Sequence, residues 1–101
     1  MDVARDIVGE GFRITFPELE MLAYWEGDDG FLFHCGWGVD PPAVAVPSAE
    51  VWDEVVPPWL RGRRDAVVAR LGGAGGHRVD EGGDADWQYR MNPQKRILKR
   101  A

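Results

Sequence analysis

Residues 46–71, VPSAEVWDEVVPPWLRGRRDAVVARL, decide the fold. Ser48 follows Pro47 and is placed to cap the free amides of a helix opening at Ala49. Glu50, Asp53 and Glu54 then put negative charge in the first turns, where the helix dipole favours it. Pro57-Pro58 stops that helix. A second helix restarts at Pro58 or Trp59, because proline suits a first helical turn. It runs to Leu71 and is closed by Gly72-Gly73. The spacing therefore predicts two sequential helices, about 48–56 and 58–71. In the second, Leu60, Arg64, Val67, Val68 and Leu71 share one side, and Arg61, Asp65 and Arg70 face water. Gly62 inside that helix costs about 1 kcal/mol relative to alanine. Its presence points to close approach by a bulky side chain, Trp52 or Trp59.

The residues before this stretch carry strand patterns. Phe12, Ile14 and Phe16 alternate with Arg13 and Thr15, the period-2 sign of a half-buried strand. Residues 19–26, LEMLAYWE, read as a strand because Tyr24-Trp25 lead into Gly27-Asp28-Asp29-Gly30, a hairpin-type connection. In the next strand Phe31, Phe33 and Cys35 share one face and Leu32 and His34 the other, which marks a central strand. Ala43 to Val46 is a short apolar strand. Val3 and Ile7, four apart, predict a helical turn over residues 2–8.

Beyond Leu71 the chain is glycine-rich and acidic, LGGAGGHRVDEGGDADW, and reads as a loop with one edge strand at His77 to Val79. Trp87-Gln88-Tyr89-Arg90-Met91 alternates and predicts a last strand, broken by Asn92-Pro93. Residues 94–101 form a basic, helix-prone tail whose Ile97 and Leu98 are the residues able to dock. The fold class is α+β: a small antiparallel sheet of three to five strands packed against the two helices, in one domain over 1–91 with a basic tail over 92–101.

A chain of 101 residues with 45% apolar content is enough for one domain with a workable core. Five tryptophans make aromatic side chains the expected bulk of that core. Cys35 is the only cysteine, so no internal disulfide forms. Residues 1–11, MDVARDIVGEG, contain no long apolar run, and no segment approaches the ~20 apolar residues of a membrane span. A cytoplasmic protein with no membrane contact is the expectation.

The net charge of −5 is unevenly spread. Arg90, Lys95, Arg96, Lys99 and Arg100 give residues 87–101 a charge of +5 with no acid, and all 17 acids lie in residues 1–86. An acidic body argues against a duplex-binding surface, since phosphate contacts need clustered Lys and Arg. It leaves a basic protein partner open, and nucleic acid only through the tail. Solvation is the simpler reading of that tail.

The residues with chemical potential do not assemble a reaction. His34 and Cys35 are strand neighbours and point to opposite faces, so they cannot act as a nucleophile–base pair. There is no CxxC, HxxxH or HExxH spacing for a metal. The run DEGGDAD lacks the spacing of an EF-hand loop. Gly72-Gly73-Ala74-Gly75-Gly76 lacks the Lys-Ser/Thr of a phosphate loop. Ser48 is the single serine, and a hydrolase triad has no support. The expectation is no enzyme, no metal and no cofactor.

The central stretch resembles a pattern in short bacterial proteins: an N-terminal sheet, a Pro-Ser-x-x-x-Trp segment, a Pro-Trp pair, then Arg-Arg and a helix. Some proteins of this shape are immunity proteins of polymorphic-toxin systems. The matching residues are Pro47, Ser48, Trp52, Pro58, Trp59, Arg63 and Arg64, about a quarter of the chain. The resemblance implies structural roles for Ser48, Trp52, Pro58, Trp59 and Arg64 and carries over no catalytic residue. It implies a non-enzymatic inhibitor that covers a basic partner with complementary charge and a few aromatic anchors. The residues expected to make that contact are Asp28, Asp29, Asp80, Glu81, Asp84 and Asp86, with Trp37 or Trp87 as the exposed aromatic. The alternative is a regulatory or nucleic-acid-associated protein acting through the basic tail.

Overall fold

The computed structural model of the chain describes residues 6–18, 20–36, 43–73, 76–81, 83 and 85–99. The alternating segments form strands β1 (Ile7–Gly9), β2 (Phe12–Thr15), β3 (Met21–Glu26), β4 (Asp29–Gly36) and β5 (Ala43–Ala45). The helical segments are α1 (Ala49–Val55), α2 (Arg64–Gly72) and α3 (Asp86–Arg90). Two further strands, β6 (Arg78–Asp80) and β7 (Ile97–Lys99), complete the sheet. The class is α+β, as the sequence predicts.

The sheet is larger than expected and mixed rather than antiparallel. Its order is β1-β2-β3-β4-β5-β6, with β7 also paired to β4. Every pairing is antiparallel except β5 with β6, which run parallel. That exception follows from the connection. Helices α1 and α2 form a crossover between β5 and β6, and a crossover returns the chain in the same direction. Strands β3 and β4 are joined by the two residues Gly27 and Asp28, with Glu26 facing Asp29. Gly27 takes φ +62°, which a glycine adopts at little cost.

One face of the sheet is the core. Ile14, Leu22, Tyr24, Phe31, Phe33, Cys35 and Val44 are all fully buried. The two helices roof it with Val51, Trp52, Val55, Leu60, Val67 and Leu71. Each such side chain contributes on the order of 1.5–3 kcal/mol on leaving water, so this layer dominates stability. Trp52 carries the corner between the helices. Its ring stacks on Phe33 at 6.0 Å, and its indole N–H donates to the Leu60 carbonyl at 2.8 Å. Pro58 opens a 3-10 turn, Pro58–Leu60, and Trp59 lies parallel to the Tyr24 ring at 6.4 Å.

Several sequence expectations are corrected. The second helix is not continuous from 58 to 71, because Gly62 takes φ +73° and breaks it between the 3-10 turn and α2. Nothing lies within 4 Å of where a Gly62 Cβ would stand, so the glycine serves backbone geometry, not close packing. Arg64 does not join an apolar stripe. Its guanidinium donates to the Pro47 carbonyl at 3.0 Å and pairs with Glu81 at 3.0 Å. Ser48 precedes α1, but its hydroxyl makes no capping bond to that helix. Ile7 and Val8 belong to a strand; the expected helical turn over 2–8 otherwise falls outside the described residues.

The expected strand at Trp87–Met91 is instead α3, and the helix-prone tail is a 3-10 turn, Pro93–Arg96, followed by β7. Asn92 reverses the chain between them in the left-handed region, at φ 56°, a conformation asparagine tolerates better than most residues.

Candidate functional site: a groove beside the third helix

Strand β4 carries β3 along one edge, and its other edge is divided. Strand β7 pairs with residues 29–31 and β5 with residues 34–36. Two side chains from the C-terminal segment fill the interval. Tyr89 accepts a hydrogen bond from the His34 backbone N–H at 3.0 Å, and its hydroxyl donates to the Ala45 carbonyl. Arg96 reaches the Leu32 carbonyl at 3.3 Å, with its guanidinium 4.2 Å from the Tyr89 ring centroid. Burial pushes the Tyr89 hydroxyl up to about 12, so it stays protonated and able to donate at neutral pH.

The start of α3 is fixed independently. Asp86 receives the Ser48 backbone N–H at 2.8 Å and the Ser48 hydroxyl at 2.6 Å. Burial raises the Asp86 carboxyl, but the two Ser48 bonds outweigh it and hold the group below its ordinary value. The far end is tied to α1 by Arg90 and Glu54 at 2.8 Å. A five-residue helix is too short to persist alone; Asp86 and Tyr89 supply what its length does not.

With Tyr89 turned inward, Trp87 and Met91 face outward, four residues apart and therefore neighbours on the surface. Both are large apolar side chains left mostly in solvent, Trp87 at 60% and Met91 at 58% exposure. They stand over an open groove of about 400 Å³. Its floor is the sheet face opposite the core, where Met21, Leu32 and His34 project together because Met21 faces His34 across the β3–β4 pair. Asn92, Lys95 and Arg96 of the following turn form its rim. A smaller cavity of about 130 Å³ shares His34 and Gln88 with the groove and extends toward Asp80.

The expected contact residues are dispersed. Trp87 is the one that lines the groove. Asp29 pairs with Lys99 at 3.1 Å, Glu81 pairs with Arg64, and Asp86 is bound to Ser48. Asp28 is exposed at the β3–β4 turn, and Asp80 lies at the edge of the smaller cavity. Trp37 and Asp84 lie outside the described residues. Three of the basic residues of the C-terminal segment are also engaged: Arg90 with Glu54, Lys99 with Asp29, and Arg96 over Tyr89. Sequence reasoning missed Met21, Leu32, Met91 and Lys95. The i, i+4 spacing of Trp87 and Met91 was the available signal, and it is overlooked when the segment is read as a strand.

A second polar cluster lies under the helices. Glu26 accepts from Arg63 at 2.6 Å, from the Tyr24 hydroxyl at 2.6 Å and from Arg70 at 3.1 Å. Burial raises Glu26, but the arginines and Tyr24 outweigh it and lower the carboxyl overall. Burial also pushes Tyr24 up to about 12. The cluster joins β3 to both ends of α2, through Arg63 at its start and Arg70 in its last turn, and is accounted for as a brace. Cys35 is buried, and that burial raises its thiol, away from the thiolate a nucleophile needs. Among the described residues no group of three or more His, Cys, Asp or Glu is arranged to hold a metal ion, and no helix is long and apolar enough to cross a membrane.

Comparison with protein-family models, with curated proteins and with solved structures found no match to this chain. Of the central residues quoted above, Trp52 is buried in the core and Trp59 packs against it, while Ser48, Arg63 and Arg64 make polar contacts around it.

Proposed function

We propose that the protein is a non-enzymatic binding module that engages a protein partner through the groove beside α3. The observation that carries this reading is the exposure of Trp87 and Met91 side by side above an apolar floor. Tryptophan and methionine are enriched where protein surfaces meet, and a solvent-facing pair of this size is costly unless covered. Preorganisation adds to the argument. Asp86 and Tyr89 fix the helix that presents the pair, so little order has to be gained on binding. An immunity-like inhibitor is the form of this proposal that the central stretch implies, because such a protein acts by contact alone.

The test begins with capture of the partner from the source cells and its purification. Trp87→Ala is expected to weaken the purified complex by roughly tenfold or more, as loss of an aromatic anchor does. A partner that binds Trp87→Ala as tightly as the parent chain would remove the groove from the account.

A further inference from the structure

We infer that the segment occupying this groove is acidic, an apolar anchor flanked by carboxylates, an inference that rests on the groove being the binding site. The whole chain is acidic, with 17 Asp and Glu against 12 Lys and Arg. The groove inverts that balance. Among the described residues no carboxylate lines it, whereas Lys95 and Arg96 both do. Neither cation makes a salt bridge to a carboxylate among the described residues. The other described cations of the C-terminal segment are neutralised within the molecule, Arg90 by Glu54 and Lys99 by Asp29. The unneutralised pair thus stands where the apolar surface is exposed. Arg96 is held in place by the Leu32 carbonyl and the Tyr89 ring, so its charge is fixed at the groove and does not sweep through solvent.

A fixed cation beside an apolar trough selects by charge. A basic segment meets like charge at the point of closest approach, and an acidic one meets a partner for its carboxylate. Trp87, Met91 and Leu32 take the apolar anchor, and Lys95 and Arg96 take the acidic flank. The occupant lies with its carboxylates toward the Pro93–Arg96 turn, where both cations stand. This reverses the expectation of a basic partner drawn from net charge, because a local pair of cations decides contact where the global charge acts only at long range.

The experiment is selection from a displayed library of random linear peptides against the intact chain at low salt. Enriched peptides are expected to be net negative with at least one bulky apolar residue, to weaken about tenfold or more against Trp87→Ala, and to give way to neutral or basic peptides when Lys95→Glu is the target. Lys95 is exposed and makes no side-chain hydrogen bond or ion pair among the described residues, so that variant is expected to fold. Basic or neutral peptides that still depend on Trp87 would overturn the acidic assignment and leave the groove as a binding site. Failure to enrich any Trp87-dependent peptide would overturn both. Sedimentation of the parent as a dimer that Trp87→Ala converts to a monomer would assign the groove to a second copy of this chain and overturn the inference.

Discussion

The backbone N–H of His34 and the side-chain hydroxyl of Tyr89, 55 positions apart in the chain, are joined by a hydrogen bond of 3.0 Å. The same hydroxyl donates to Ala45, the residue that faces His34 across the β4–β5 pair. A phenol thus occupies a rung of the ladder and links the C-terminal segment to the centre of the sheet. Tyr89→Phe removes the oxygen and leaves a buried amide and a buried carbonyl without their partner. The expected loss is about 1–3 kcal/mol of stability, measured as a lower urea midpoint at unchanged slope. An unchanged midpoint would mean that the two strands close on each other without the hydroxyl.

Tyr24 and Tyr89 both ionise near 12 in the folded protein, against 10.0 for an unperturbed phenol. The folded state holds these protons longer than the unfolded chain does. Their contribution to stability is therefore complete below about pH 10 and is lost as the pH rises from there toward about 12. Absorbance of tyrosinate followed against pH is expected to rise together with unfolding. Tyr89→Phe should halve the steepness of the stability loss. Ionisation of both tyrosines at pH 10 with the fold intact would contradict their burial.

The acid limb has the opposite sign. Asp86 and Glu26 are held below their ordinary values, so their contribution is present at neutral pH and fades as the pH falls through the folded values. Asp86→Ala removes both Ser48 bonds and is expected to cost on the order of 1 kcal/mol at pH 7. As the pH falls into the acid range and the parent's carboxyl takes up its proton, the stabilities of the two chains should converge. Urea titrations at pH 7 and in the acid range measure the difference.

Gly62 takes φ +73° in open space. Gly62→Ala is expected to lose about 1 kcal/mol through backbone strain alone, and Gly62→Asn less, because asparagine tolerates the left-handed region. Equal stability of all three chains would show that the break between the 3-10 turn and α2 is not fixed at this residue.

Strands β2 to β5 were legible because their signals are local, whereas β1 was expected as a helical turn. Alternation from Phe12 to Thr15 and from Phe31 to Cys35, with glycine at the intervening turn, is enough to set face and order. The corner at Pro57-Pro58 was legible for the same reason. The C-terminal third was not, because its structure is decided at a distance. Trp87 to Met91 alternates as a strand would, and only the bond from Ser48 to Asp86, across 38 positions, starts a helix there. Ser48 obeys the local rule for a cap, yet its side chain donates to the carboxylate of Asp86 and makes no bond to the α1 amides. Strand β7 is three residues long and exists by pairing with β4, which no local pattern announces. The groove inherits that difficulty: its floor comes from β3 and β4, and its wall and rim from a segment some 60 residues later.

Hydroxyl-radical footprinting of the purified complex with its partner tests the binding groove most directly. Trp87 and Met91, 60% and 58% exposed in the free chain, are both readily oxidised side chains. In the complex both are expected to be protected, while Val8, 76% exposed and not part of the groove lining, keeps its rate. Oxidation of Trp87 and Met91 at the same rate in the complex as in the free protein would contradict the account.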